Sequence, residues 1–406
     1  MKLQEILRPA AALALLPAFC LPLSDAGKAG MARGAPQTGH VVIAMSSSPP
    51  DTSEETSSPS AAAQAMLIPL TSPLNLTAQQ LAGLEKLAGA GDVRAMRMLG
   101  LYHVDKAQPS DSAPRKLDEA VRWYGKAAET GDARAMAALG FLYQNQKQDA
   151  AAAADWLGKA AEKGDVVAMS ALRRLHALGR GVPKDTAKAF EWGKKAAEKG
   201  DEVAQYELAE MYFKGIGTRQ DFVEAAHWFR KAADNGYAPA MTKLASMYSV
   251  GMGLAQDLKR GFEWAQKAAE AGSPIAMYQV GTYYLQGAGV AKNPAEAKRW
   301  YEKAANAGEP EGMFGLSYVY DKGEGMTANP GLAADWMILA IRSRSFQAAQ
   351  DVMQRPWNWS ASFRKEFQKR LREAGVYQGT IDGNLGSGSR RAIVALSKAG
   401  QSSGPE

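Results

Sequence analysis

The chain has 406 residues, 46% hydrophobic and 22% charged, which is enough for about two or three globular domains. A formal net charge of +6 is too mild to argue for a nucleic-acid partner. The single cysteine, Cys20, excludes a disulfide framework and a cysteine-based zinc site, and the four histidines form no i,i+4 pair, so no metal and no cofactor is expected.

The N-terminus reads as an export signal. Lys2 and Arg8 give a positive start, residues 9–23 form an apolar core, and Ser24-Asp25-Ala26 places small residues before a cut at Gly27. Those fifteen residues hold three prolines, too short and broken a stretch for a stable membrane span after cleavage. Lipid attachment at Cys20 is disfavoured by the bulky Phe19 before it. The expected location is periplasmic. Residues 27–72, rich in Ser, Pro, Thr and Ala, cannot bury enough apolar area to offset chain entropy and read as a linker.

Order is expected from residue 73. Thr77 with Gln80 three residues on is a capping-box pattern ahead of Leu81, Leu84 and Leu87. The chain then repeats. Gly164, Gly200, Gly236, Gly272 and Gly308 follow one another at intervals of 36, with two irregular units before them at Gly91 and Gly131. A fixed period of this size predicts stacked helix pairs. The residue after the marker Gly is often an Asp fit to cap a helix, as in Asp92, Asp132, Asp165 and Asp201. Four after it is a small residue (Ala95, Ala135, Ala168, Ala204, Ala240, Ala276), and eight after it an aliphatic one (Leu99, Leu139, Leu172, Leu208, Leu244, Val280, Leu316). Twelve after it stands Tyr212, Tyr248, Tyr284 or Tyr320, with His103 and His176 in that slot in two units. A Gly-x-Gly connection follows, as in Gly215/Gly217 and Gly287/Gly289. The second helix opens at Asp185, Asp221, Asp257, Asn293 or Asn329, and its Trp recurs at 192, 228, 264, 300 and 336. Tyr, Trp and Met at these spacings are expected in the core, and Trp264→Ala or Trp300→Ala is expected on that reading to cost about 3–5 kcal/mol.

The segment "GDEVAQYELAEMYFKGIGTRQDFVEAAHWFRKAADNG" resembles the Sel-one-like repeat (SLR) family, relatives of tetratricopeptide repeats. The resemblance implies an all-α fold: a right-handed helical-repeat solenoid of about seven units over residues 73–355, binding a protein partner on its concave face. It weakens at the ends. The 131–164 unit lacks the Gly-x-Gly, Gly312 stands where Ala is usual, and Arg344 replaces the marker Gly. Atypical end units suit a finite stack.

In the remainder, residues 356–406, the stretch 361–399 reads as helix, glycine-rich loop, helix. Phe363, Phe367 and Leu371 form an apolar stripe opposite Arg364, Lys365, Lys369, Arg370 and Arg372. Gly375 is a helix stop, Asp382-Gly383 a turn, and Ser387 or Ser389 a cap for the last helix, whose Ala392, Ile393 and Leu396 face inward. Residues 361–406 hold eight Lys/Arg and four Asp/Glu, so net +4 of the chain's +6 sits here. Trp357 and Trp359 lie just before this segment, either packed on the end of the stack or offering a face to a sugar.

The stretch "FQKRLREAGVYQGTIDGNLGSGSRRAIVAL" resembles the small three-helix peptidoglycan-binding domain, matching at Gln368, Leu371, Gly375, Tyr377, Gly379, Asp382, Gly383, Gly386, Ala392 and Ile393, with Ser389 in the place of Thr. Leu396-Ser397 departs from the Phe-Gln usual there. The resemblance implies a peptidoglycan ligand, with Tyr377, Gln378, Asp382, Asn384, Arg390 and Arg391 as candidate contacts. Together the two resemblances imply a non-enzymatic periplasmic scaffold of the cell envelope. One rival reading is a cell-wall-active or β-lactamase-like hydrolase, which needs a nucleophile beside a base, and the sequence displays no such motif. Another is an intracellular adaptor whose C-terminal segment is only a structural cap.

Overall fold

The computed structural model describes residues 76–106 and 113–402. The export signal, the linker and Cys20 lie outside the described residues. Within them the secondary structure is helical and contains no strand. Two compact units are distinguished, with a boundary between Gln220 and Asp221.

The first unit holds α1 (Ala78–Gly89), α2 (Val93–Asp105), α3 (Ala113–Glu129), α4 (Ala133–Leu142), α5 (Ala150–Glu162), α6 (Val166–Leu178), α7 (Thr186–Glu198) and α8 (Glu202–Lys214). The caps follow the sequence. Thr77 and Gln80 form a reciprocal capping box, and Asp92, Asp132, Asp165 and Asp201 each accept a hydrogen bond from the N–H three residues on. Where the Gly-x-Gly is missing, α4 runs into a π-turn, Tyr143–Lys147, closed by Gln148 in the left-handed region at φ 54°.

The second unit holds α9 (Phe222–Asp234), α10 (Ala238–Val250), α11 (Leu258–Glu270), α12 (Pro274–Gln286), α13 (Pro294–Asn306), α14 (Pro310–Lys322), α15 (Pro330–Arg342), α16 (Phe346–Gln354), α17 (Ala361–Glu373) and α18 (Ser387–Ser402). Asp221, Asp257, Asn293 and Asn329 cap their helices as expected. Arg344, standing where other units have Gly, keeps the left-handed conformation at φ 70°, so the helix exit survives loss of the glycine at a cost of about 1–2 kcal/mol.

In both units the small and aliphatic repeat positions are a constant part of the core, joined by buried aromatic and Met side chains such as Tyr124 and Met169 in the first and Phe229 and Tyr301 in the second. The Ala at position four is buried throughout, and Leu99, Leu139, Leu208, Leu244, Val280 and Leu316 are nearly inaccessible. Small Ala brings helix backbones close, and Leu fills the space between pairs. The second glycine of each Gly-x-Gly does a related job. Gly253 and Gly289 sit at φ near +70°, and a Cβ on either would fall on the backbone carbonyl that opens the preceding second helix, at Phe222 or Leu258. Contact between successive repeats therefore requires glycine there.

The tryptophans correct the sequence reading. Trp228 is buried, but Trp156, Trp192, Trp264, Trp300 and Trp336 are only half-buried. In these units except that of Trp336, a lysine three residues on, one helical turn further, lays its ammonium over the ring: Lys195 4.2 Å from the Trp192 centroid, Lys267 4.3 Å from Trp264, Lys303 3.9 Å from Trp300. The period of 36 reveals that these positions are equivalent, not that a neighbour covers them. Trp264→Ala is accordingly expected to cost about 1–2 kcal/mol, the sum of a partial burial and one cation–π contact. Urea denaturation checks this, and a loss of 4 kcal/mol or more would contradict the half-buried placement.

The C-terminal segment packs directly on the last full repeat. Phe314, Ala333, Met337 and Ile341 of the last full repeat share one hydrophobic core with Trp359, Phe363, Phe367, Leu371, Tyr377, Ile393 and Leu396. Polar contacts fix the same junction. Asp321, buried at the end of α14, accepts from the backbone N–H of Ser360 at 3.1 Å and from its hydroxyl, and Arg370 pairs with Asp335 of α15. The two tryptophans before the segment part company. Trp359 is buried, stacked on Phe363 with ring centroids 4.4 Å apart, and donates its indole N–H to Asp351 at 2.8 Å. Trp357 stands 72% exposed.

Candidate functional site

The loop between α17 and α18 is organised by one side chain, Gln368. Its neighbours Phe367 and Leu371 face α15, which leaves Gln368 turned into the loop and wholly buried. Its amide nitrogen lies 3.2 Å from the Tyr377 hydroxyl, 3.1 Å from Asp382 Oδ1, 3.0 Å from the Asn384 carbonyl and 3.3 Å from Ser389 Oγ. Its carbonyl oxygen accepts from the Gly383 N–H at 2.7 Å. Two amide protons thus serve four acceptors, and the loop closes around a buried polar node.

The six candidate residues divide around that node. Tyr377 is buried, with its hydroxyl donating to the Thr380 carbonyl at 2.8 Å, so it supports the loop from inside and offers no flat face to a ligand. Gln378, Asp382, Asn384, Arg390 and Arg391 are exposed. Asp382 accepts from the Asn384 N–H at 2.8 Å, and this bond, with the Gln368 amide, holds its carboxyl below the ordinary carboxylate range. Ser389 does not cap α18. It is buried in the first turn on the Gln368 amide, which places Arg390 and Arg391 directly beside the node.

The basic stripe of α17 is largely engaged inside the fold. Arg364 donates to the Pro356 carbonyl, Lys369 pairs with Glu366, and Arg372 donates to the Gly379 carbonyl. Lys365, Arg390 and Arg391 remain exposed without an acidic partner among the described residues. Gln368 is the residue that sequence reasoning passed over as a functional support. A Gln on a basic helix reads as solvent-facing, and only its place in the family-like pattern marked it.

Along the first helices, beside exposed apolar side chains such as Leu178, Val203 and Ile275, polar side chains link one repeat to the next. Arg97 pairs with Asp132 at 2.5 Å, Arg173 pairs with Glu207, and Gln279 donates to Ser246 at 3.0 Å. Burial pushes the Glu207 carboxyl up and the Arg173 guanidinium down, while each charge opposes the shift in the other. The second helices present the Trp–Lys pairs. Beside Trp192 lies an open groove of about 570 Å³ lined by Met169, Lys195, Lys199, Glu162 and Glu198. His103 is half-buried and its imidazole is pushed down by that burial, and His227 is exposed beside Trp228. Among the described residues no three His, Cys, Asp or Glu side chains converge as a metal site would require, and no helix is long and apolar enough to cross a membrane.

A profile described as the Sel1 repeat matches residues 93–132, 133–165, 167–201, 203–237, 238–273, 274–309 and 310–344, more than half of the chain. Among solved structures, a protective antigen of uropathogenic Escherichia coli with an SLR fold is 30% identical, with a TM-score of 0.63 over 73% of this chain. The match spans 64% of that antigen's length. A Sel1 repeat protein from Oxalobacter formigenes is 26% identical, with a TM-score of 0.53 over 64% of this chain and 96% of its own. No curated protein matches.

Proposed function

Because the chain belongs to the Sel1 repeat family, whose repeats indicate a protein-interaction scaffold, we propose that it holds a protein partner on its repeats and peptidoglycan on its C-terminal cap, in the bacterial periplasm. The partner is a protein of the cell envelope, bound along the first-helix faces. Export is supported by the positive and then apolar residues at the start of the chain.

One observation carries the peptidoglycan reading. The loop around Gln368 is rigidly supported, yet it leaves Gln378, Asp382, Asn384, Arg390 and Arg391 at the surface. Hydrogen-bonding groups and two unpaired guanidiniums beside a fixed turn suit a ligand with amides, hydroxyls and free carboxylates, as peptidoglycan stems carry. Tyr377 belongs to the support, so its role is to hold the loop.

The test uses the full chain, since the cap shares its core with the last repeat. The chain is expected to co-sediment with isolated peptidoglycan. Binding should weaken as salt rises, because the reach of exposed charges shortens to about 8 Å at 0.15 M. Arg390→Glu with Arg391→Glu should weaken it about tenfold while helix content stays constant. Sedimentation indifferent to both changes would overturn the reading and leave the segment a structural cap.

A further inference from the structure

The second helices of the regular units carry charge on their outer face. Position 24 after the marker Gly is Lys188, Glu224, Arg260 or Glu296, and position 31, the lysine over the Trp ring, is Lys195, Lys231, Lys267 or Lys303. In the seventh unit both positions are leucine, Leu332 and Leu339. Position 34 is Glu198, Asp234, Glu270 or Asn306 in the same four units, and here it is Arg342.

Leu332, Trp336 and Leu339 stand four and then three residues apart on α15, so they form one line along the helix. Leu332 is 41% and Leu339 44% exposed, while Trp336 and Met313 are half-buried against the core that holds Leu316 and Val319. Ser345 donates its N–H to the Ala340 carbonyl at 2.9 Å, which holds the start of α16 against the end of α15. Phe346, 64% exposed, therefore adds to the apolar surface at the Leu339 end. A lone exposed leucine is ordinary. A line of them, at positions where four preceding units all place charge, is an apolar face built into one unit.

The groove beside Trp192 shows what this part of a unit encloses. There Met169 and Trp192 line it together with Lys195, Glu162 and Glu198. The residues in register in the seventh unit are Met313 and Trp336 with Leu339, Asn306 and Arg342. These positions lose a lysine and both carboxylates, and gain a leucine and a guanidinium. Arg342 and the neighbouring Arg344 are exposed and have no acidic partner among the described residues.

We propose that α15 displays a docking site for an amphipathic helix of a partner protein, whose apolar ridge lies along Leu332, Trp336 and Leu339 and whose carboxylates meet Arg342 and Arg344. A helix seated on another element presents anchors at just such spacings. The surface is separate from the first-helix faces and from the loop around Gln368, and depends on neither.

Charge selects the occupant. Two copies of α15 paired about a two-fold axis would run antiparallel, and Arg342 of each would then meet the N-terminal, positive end of the other helix. An acidic partner has no such conflict. A line one side chain wide, with its Trp half-sunk, matches the ridge of a single helix. A bilayer surface favours a broad, protruding apolar face instead.

The experiment measures binding to the full chain by fluorescence anisotropy of a labelled synthetic helix of about 15 residues, with leucines at the same spacing and glutamates beside them. A matched peptide carries lysine for every glutamate. The parent should bind the glutamate peptide on the order of tenfold more tightly than the lysine peptide. Leu332→Glu with Leu339→Lys gives α15 the residue types of Glu296 and Lys303, which the repeat already tolerates. That variant should bind the glutamate peptide about tenfold more weakly, with helix content unchanged. Arg342→Glu with Arg344→Gly should abolish the preference between the two peptides. Failure of the parent to bind the glutamate peptide, equal binding by the leucine variant, or a preference that survives the arginine variant overturns the proposal. A dimer in analytical ultracentrifugation that the leucine variant breaks would make the occupant a second copy. Flotation with phosphatidylglycerol vesicles that the same variant abolishes would make it a lipid surface, and either result overturns the proposal as well.

Discussion

Gly289→Ala is expected to lose about 4 kcal/mol of stability, the sum of a left-handed residue given a side chain and an overpacked contact between repeats. Gly289 has φ 71°, and an added Cβ would fall on the Leu258 carbonyl and within 2.6 Å of the Lys259 nitrogen. That neighbour is backbone at the start of α11 and cannot swing aside. Gly287, two residues earlier with the same φ, is the control. A Cβ there meets Lys292 Cβ at 3.1 Å, so Gly287→Ala should cost about 1–2 kcal/mol, the conformational part alone. Urea denaturation of the pair separates the two contributions. Equal losses would show that the close approach of successive repeats is not what requires glycine.

Phe363→Ala is expected to cost about 3–5 kcal/mol, the range for a fully buried aromatic side chain. Phe363 is inaccessible, stacks on Trp359, and lies 5.6 Å from the Phe367 ring in parallel orientation. These rings join α17 to the last full repeat, so the variant should also release the cap. Trp359 emission should then shift to the red, because its ring loses the partner that covers it. A variant that melts with the parent and keeps the parent's emission would mean that the cap is an independent module.

The helical repeat was legible because each of its signals is local. Caps such as Asp92 and Asn293 act within three residues, and the marker glycines have positive φ wherever the spacing of 36 places them. What stayed hidden depends on distant parts of the chain. The burial of Trp264 depends on which face its second helix turns outward, and a recurring aromatic does not reveal that. The need for Gly289 depends on Leu258, thirty-one residues earlier, and the period marks such a position without giving the reason. Arg344 shows the reverse case, a lost glycine whose conformation the surrounding structure still imposes.

The candidate site was legible only in part. The Asp-Gly turn and the exposed Arg390 and Arg391 follow from turn chemistry and charge. The inward turn of Tyr377 and Ser389 follows from Gln368, whose bonds reach residues up to 21 positions away. The resemblance identified the residues of the loop without sorting those that build it from those it displays.

The central claim is that one chain carries two separable surfaces, repeats that hold a protein and a cap that holds peptidoglycan. It is tested most directly by cross-linking the full chain to its partner in periplasmic extract and sedimenting the product with isolated peptidoglycan, for the parent and for Arg390→Glu with Arg391→Glu. The parent should pellet together with the cross-linked partner. The double variant should cross-link to the same partner and stay in solution. A double variant that loses the partner as well, or that still pellets, would contradict the division of labour between repeats and cap.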